Sequence, residues 1–521
     1  MTETELDRRA LLATAAAWGV AGAMARLATG VDEVLAQAAA PAAVAADAFS
    51  AQVVKQRAEK LAAADYVPPR IELPDPFGKL TYDQYRDIRF RADQSIWRGE
   101  KLDFELQFFP VGFLYTAPVE IALVEDGKVR TLTADGKLFS LGPLIGPGPD
   151  AAPFAFSGFR VHGPLNRSDY FDEYVVFQGA SYLRAVARGQ VYGMSARGLA
   201  INTAQPAGEE FPLFRAFYIE KPKPGATSIA VHALLDSPST TGAYRFEIST
   251  GPATIMDVEM TLYPRKALAH VGIAPLTSMY LYGAAHRRVG GDFRPSVHDS
   301  EGLAILNGKG ERLWRPLTNP KKLQTSAFVD KNPKGFGLSQ RDRAFRNFQD
   351  LEARYEKRPT VWVEPRSAWG DGYVELIEIP TEEEIHDNVV AFWKPAKPLA
   401  PGQPHTFSYR LHWTEAVPAA WTGSRVAKTF IGPAKKAGAL LFVIDFEGPA
   451  VKGVSSLPLP ELSASAGTIT NVVVQKNAEV EGVRVTFELQ PASSEVIELR
   501  LALKAADQYI SESWLYRWTK P

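Results

Sequence analysis

The stretch Leu102-Asp103-Phe104-Glu105-Leu106-Gln107-Phe108 alternates apolar and polar side chains at every step. That is the period of a β-strand with one face turned to a core and the other to solvent, so it predicts a half-buried strand. Similar runs recur at 119–124, 174–177, 228–234, 243–248 and 374–379. Clusters such as Gly142-Pro143-Leu144-Ile145-Gly146-Pro147-Gly148-Pro149 separate them. With 40 Gly and 38 Pro, the chain is interrupted too often for long helices, and the expectation is antiparallel sheet throughout. One short helix is expected over 51–64, with Val54, Leu61 and Ala62 as a narrow apolar stripe.

A length of 521 residues exceeds one ordinary domain and suggests two. The proline-rich run 394–404 (Lys394-Pro395-Ala396-Lys397-Pro398-Leu399-Ala400-Pro401-Gly402-Gln403-Pro404) is poor in core residues and reads as a semi-rigid linker. Before it, 49–393 reads as one large β-sandwich. After it, strand signals at 406–413, 439–446, 468–474, 483–489 and 496–503 give 405–521 the rhythm of an immunoglobulin-like sandwich without its disulfide.

Residues 1–48 read as an address. Arg8-Arg9 precede a weakly apolar, Ala-rich run, and small-x-small sites follow at Ala36-Gln37-Ala38 and Ala46-Asp47-Ala48. This is the pattern of a twin-arginine export signal, with the twin-arginine translocon as a partner during export and the periplasm as destination. The run is too short, and too soon followed by Arg26, Asp32 and Glu33, to span a bilayer.

Lys+Arg (58) and Asp+Glu (59) nearly cancel, which leaves no electrostatic footprint for nucleic acid or anionic lipid and points to a neutral or polar partner. Cysteine is absent, so disulfides and thiolate metal sites are excluded. No two of the eight histidines have the i, i+4 spacing of ligands on one helix face; no metal or other cofactor is expected, although carboxylate-bound calcium stays open. Dinucleotide-binding, P-loop, zinc-protease and serine-hydrolase motifs are all missing.

What remains is a mixture of aromatics (Trp97, Tyr182, Tyr192, Tyr355, Trp362, Trp393) and charged groups (Arg160, Arg184, Asp299, Arg341, Glu384, Asp387). Carbohydrate sites use such a mixture, aromatic faces meeting sugar C–H faces and charged groups meeting hydroxyls. Aromatics also fill sandwich cores, so none of them alone decides between the two. Asp299 lies in the heavily loaded stretch 293–302, and Asp387 follows Glu382-Glu383-Glu384 in an acidic loop of the kind that usually faces solvent. Glycoside cleavage needs one protonated and one ionised carboxyl, and crowding among carboxylates is expected to raise the pKa of the acid.

Several segments carry a resemblance. They are Tyr82-Asp83-Gln84-Tyr85-Arg86-Asp87-Ile88-Arg89-Phe90, Gly179-Ala180-Ser181-Tyr182-Leu183-Arg184-Ala185 and Gln190-Val191-Tyr192-Gly193-Met194-Ser195-Ala196-Arg197-Gly198-Leu199-Ala200. To them belong Ala233-Leu234-Leu235-Asp236-Ser237-Pro238-Ser239, Ile273-Ala274-Pro275-Leu276-Thr277-Ser278-Met279, Leu313-Trp314-Arg315-Pro316-Leu317 and Gln349-Asp350-Leu351-Glu352-Ala353-Arg354-Tyr355-Glu356. Over about 65–415 the chain resembles the periplasmic glucan biosynthesis proteins of the G/D family, and the twin-arginine leader makes it most like the D branch. The resemblance implies a galactose-mutarotase-like large sandwich and a small immunoglobulin-like one. It implies a role in setting the β-1,2-linked backbone of osmoregulated periplasmic glucans, by inverting cleavage, by transglycosylation, or by non-catalytic binding beside a membrane glucan synthase. Carried over by position, Asp387 matches the general acid and Asp299 the general base, with Glu384, Tyr355 and Arg358 lining the cleft. The base is implied to act through a relay of water and sugar hydroxyl, so the carboxyls need not keep the about 6.5–9.5 Å usual for inverting enzymes.

Overall fold

The computed structural model describes residues 48–520 apart from Pro74, 146–154, 288–289 and 419–420. The leader expected over 1–48 therefore lies, but for Ala48, outside the described residues. The architecture is all-β, as expected, and two large sheets dominate it. In the ten-stranded sheet the order is Glu105–Pro110, Phe156–Gly163, Asp172–Gln178, Tyr182–Ala185, Ser195–Arg197, Val271–Ser278, Val389–Pro395, Asp371–Glu378 and Gln324–Lys331, with Leu199–Ile201 also on Val271–Ser278.

A fifteen-stranded sheet packs over it. The two inner faces meet in one core, where Phe159 and Phe177 of the first sheet touch Phe217 and Phe246 of the second at ring separations of 5.0 and 5.2 Å. The helix Ala51–Ala62 covers the far face of the larger sheet with Val54 and Ala58. Leu61 of the expected stripe only packs at its edge. Arg265 caps the end of this helix by donating to Leu61 O (2.7 Å) and Ala64 O (3.0 Å), satisfying carbonyls that a helix terminus leaves open.

The deciding stretch behaves as a strand, with one correction. The ladder begins at Glu105, and the polar residues within it do not face solvent: Glu105 and Gln107 are only 8% and 7% exposed. The segment before the strand folds back across that face. Arg98 donates to Glu105 at 3.3 Å, and Gln107 donates to Ser95 at 3.0 Å. Buried polar groups are tolerated when paired in this way.

The expected linker is corrected as well. Lys394 and Pro395 end the strand Val389–Pro395, and Leu399 enters the core, exchanging backbone hydrogen bonds with Leu268 (3.0 and 3.1 Å). The next strand, His405–Thr414, lies in the fifteen-stranded sheet between Thr254–Pro264 and Thr360–Pro365. The prolines thus mark a crossing from one sheet to the other, and His405–Thr414 belongs to the large sandwich.

Beyond it, Arg425–Pro433, Leu440–Glu447, Gly482–Gln490 and Thr468–Asn477 form a four-stranded sheet. It packs on Leu459–Ala464, Val496–Ala505 and Ser513–Thr519 through Phe442, Phe487, Leu501 and Trp514. Those last three strands extend the large sheet, because Ser513–Thr519 pairs in parallel with Arg312–Pro316. Trp314 and Trp362 of the large sandwich complete the small core.

A chain ended at residue 404 loses an interior strand and exposes two unpaired edges. It is expected to be insoluble or to lack a cooperative melt, as read by sedimentation and thermal circular dichroism. A soluble truncation with a sharp transition would contradict this pairing.

Candidate active site

Period-two alternation builds one wall of the site. On neighbouring strands of the ten-stranded sheet, Leu183, Ala196, Leu276 and Ala391 face the core. Their neighbours Tyr182, Arg184, Ser195, Arg197 and Thr277 therefore stand on the opposite face. There Arg184 Nε donates to Ser195 Oγ (2.6 Å) and Arg197 Nε to Thr277 Oγ1 (2.9 Å). Arg197 also bonds Glu209 and lies between the rings of Tyr182 (4.8 Å) and Phe211 (5.6 Å).

Two loops bring the carboxylates. Asp387 lies in the connection between Asp371–Glu378 and Val389–Pro395, and the next residue pins that loop. Asn388 Oδ1 accepts from Tyr280 N (2.8 Å), while its Nδ2 donates to Tyr280 O and Ile379 O, both at 3.0 Å. Asp299 follows the two-residue strand Val297–His298, which pairs with Tyr280–Tyr282, and its own N–H donates to Met279 O (2.8 Å). Tyr280 thus anchors both loops.

Asp299 is buried and accepts a hydrogen bond from Arg358, itself 1% exposed on the side chain. Arg358 lies 4.4 Å from the centre of the Tyr355 ring and donates to Ala353 O at 3.2 Å. The chain passes so close behind it that a Cβ at Gly193 would come 2.9 Å from Arg358 Cβ, which is why glycine is needed there. Tyr355 OH donates to Glu384 Oε2 (3.1 Å), and Arg294 donates to the same oxygen (2.7 Å) and to Asp350 (2.9 Å). Gln340 Nε2 bonds His298 O (3.1 Å) and Tyr355 O (3.0 Å), tying the Asp299 loop to the Arg358 segment from behind.

Burial pushes the Asp299 carboxyl up to about 6; Arg358 opposes that shift and the charge of Asp387 adds to it. Burial also raises Asp387, against the cations Arg184, Arg197 and Arg358. Crowding by Glu382, Glu383 and Glu384 is not the cause, contrary to expectation. Glu382 and Glu383 are exposed, and Glu384 is ion-paired with Arg294. The charge of Asp387 thus bears on Asp299, and both carboxyls lie in the field of Arg184 and Arg358. Their surroundings differ in one respect: Asp299 has a guanidinium donor, whereas the buried Oδ2 of Asp387 has no partner in the protein.

All five residues singled out in the sequence, Asp387, Asp299, Glu384, Tyr355 and Arg358, therefore lie in one connected cluster. Tyr182 and Arg184 of the broader mixture join them. Trp393 fills the large core, Trp362 the small one, and Arg341 pairs with Glu512. Arg197 and Arg294 were missed as site residues. Arg197 sits at the outward phase of a short strand beside core-facing Ala196, which is the signal that marks it.

Asp299 holds its proton more tightly in the native protein than at its ordinary value of 3.8, so its contribution lowers native stability as pH rises from there to about 6. Arg358→Met leaves that carboxylate buried without its cation. A loss of about 3–5 kcal/mol at neutral pH is expected, smaller near about pH 5 where Asp299 is protonated. Urea denaturation at both pH values checks the sign.

Comparison with known proteins gives the frame. A family model described as "Periplasmic glucan biosynthesis protein, MdoG" matches residues 49–518. The "Glucans biosynthesis protein G" of Vibrio cholerae serotype O1 (strain M66-2) is 50% identical over 474 residues, 90% of this chain and 87% of its own. The protein of that name from Rhodopseudomonas palustris (strain BisA53) is 49% identical over 473 residues, 91% of this chain and 94% of its own. Among solved structures, a galactose mutarotase related enzyme from Lactobacillus acidophilus aligns with 47% of this chain and 99% of its own, at 10% identity and a TM-score of 0.21. With a family match along nearly the whole described chain and relatives sharing about half its residues, the chain belongs to the periplasmic glucan biosynthesis protein family.

Proposed function

We propose that this protein cleaves the β-1,2-linked backbone of osmoregulated periplasmic glucan with inversion, Asp387 acting as general acid and Asp299 as general base through a water and sugar-hydroxyl relay. The observation that carries this reading is the carboxyl pair itself: two desolvated carboxyls share the field of Arg184 and Arg358 and differ in their hydrogen bonding. A guanidinium donor favours the ionised form, which suits the base. An oxygen without a donor favours the protonated form, which suits the acid. Asp299, pushed up to about 6, ionises above mildly acidic pH to serve as the base, while burial favours the protonated form of Asp387. Glu384, held by Tyr355 and Arg294, offers a fixed acceptor to sugar hydroxyls.

The family acts in the periplasm. Among the described residues no helix is long and apolar enough to cross a membrane. Export by the twin-arginine route, and with it the D branch, rests on Arg8-Arg9 and the Ala-rich run after them. Transglycosylation of the same glucan uses the same pair with a sugar hydroxyl in place of water. A non-catalytic role beside a membrane synthase draws its support from the small sandwich, where Leu457, Leu459, Val472 and Val473 stand exposed.

Incubation of the mature protein with linear β-1,2-glucan, followed by chromatography, tests the reading. Shorter linear chains are expected from the wild type, with turnover falling about 10²–10⁴-fold in Asp387→Asn. Cyclic products would make it a transglycosylase, and unchanged glucan would leave the binding role. Turnover is also expected to rise with pH through about 6, as the Asp299 carboxyl loses its proton and becomes competent as the base.

A further inference from the structure

A second cleft opens where the small sandwich meets the large one, with a volume of about 870 Å³, within the range of ligand sites. Arg312, Trp421, Arg425 and Lys452 line it, with the buried Gln340 and the partly buried Arg343 at its floor. Its chemistry is specific in three respects.

Trp421 is 38% exposed and is the one exposed tryptophan among the described residues. The Arg312 guanidinium lies 5.0 Å from its ring centre. An exposed indole offers apolar surface to sugar C–H groups, and the guanidinium over the ring helps to hold it in place.

Three of the cleft's cations are paired with carboxylates, Arg341–Glu512 at 2.8 Å, Arg425–Glu447 at 2.7 Å and Lys452–Glu481 at 2.8 Å, and Arg343 is committed to the backbone carbonyls of Glu356, Arg358 and Glu415. A polyanion or an acidic peptide would have to break these pairs. A neutral, hydroxyl-rich ligand bonds to them as they stand.

The floor carries unsatisfied groups of both kinds. Gln340 is fully buried, its Nε2 is committed to His298 O and Tyr355 O, and its Oε1 accepts nothing from the protein. Arg343 Nε likewise donates to nothing. A hydroxyl is at once a donor and an acceptor, so a hydroxyl-rich ligand matches groups of both kinds.

We propose that this cleft is a second, non-catalytic binding site for neutral oligosaccharide, and for the family's glucan in particular. The inference depends on glucan being the ligand, not on the chain cleaving it. Its floor is also the back wall of the first site. Gln340 holds the backbone of His298 and Tyr355, and Arg343 donates to Glu356 O (3.1 Å) and to Arg358 O. Glucan held here is therefore anchored to the segments that carry Asp299 and Arg358.

The test counts sites by calorimetry, with a linear β-1,2-linked gluco-oligosaccharide and the full chain carrying Asp387→Asn to prevent turnover. Two sites per chain are expected, falling to one, or to one plus a site about tenfold weaker, when Trp421→Ala is added. Arg312→Leu is expected to act in the same way, and an unchanged melting temperature shows that neither variant has lost its fold. One site or none in Asp387→Asn, or two undiminished sites in both double variants, overturns the proposal. Failure of the cleavage reading gives a different result, since it leaves glucan uncut while the two sites remain.

Discussion

The middle of the ten-stranded sheet performs two tasks with one backbone. Side chains on a strand alternate strictly between faces, so packing Leu183, Ala196, Leu276 and Ala391 into the core leaves no freedom in where Tyr182, Arg184, Arg197 and Thr277 point. A slip of one residue in any of these strands would exchange core and site wholesale. The register that excludes water from Phe159, Phe177, Phe217 and Phe246 is thus the register that gathers the arginines of the site. Stability of the sandwich and orientation of the site are one constraint.

The carboxylates come from loops, and loops need other restraints. Here they are polar and buried: Asn388 and the Tyr280 backbone for the Asp387 loop, Met279 O and Gln340 for the Asp299 loop, Arg294 for Glu384. Removing charge from water is costly, and each of these groups offsets that cost with a partner of opposite charge or a backbone group. Asp387 lacks such a partner, half-buried with one oxygen unpartnered. A carboxyl oxygen left in that state is where a proton or a substrate oxygen fits.

The small sandwich is not an appendage. Its second layer continues the large sheet, and its core includes Trp314 and Trp362. The Lys428–Asp342 and Arg341–Glu512 pairs cross between the two units close behind His298 and Gln340. The second cleft lies on this seam, which gives the small sandwich a direct mechanical route to the Asp299 loop.

The strands at 119–124, 228–234, 243–248 and 439–446, the helix near 51–64 and the pair Asp299 and Asp387 were all legible from residue order, because alternation, turn residues and local motifs are properties of neighbouring residues. Arg358, Tyr355 and Glu384 were reached only through resemblance. Nothing local distinguishes them from other charged or aromatic residues in loops. The proline-rich run at 394–404 and the polar face of Glu105 and Gln107 were misread, since a strand's partner and a face's cover come from segments far along the chain. The sequence by itself determined the class of fold and the spacing of its strands, and it singled out the two carboxyl groups as candidates. Tertiary structure alone decided which residues surround those carboxyls and how burial and arginine fields set their protonation, because such effects depend on distances through space.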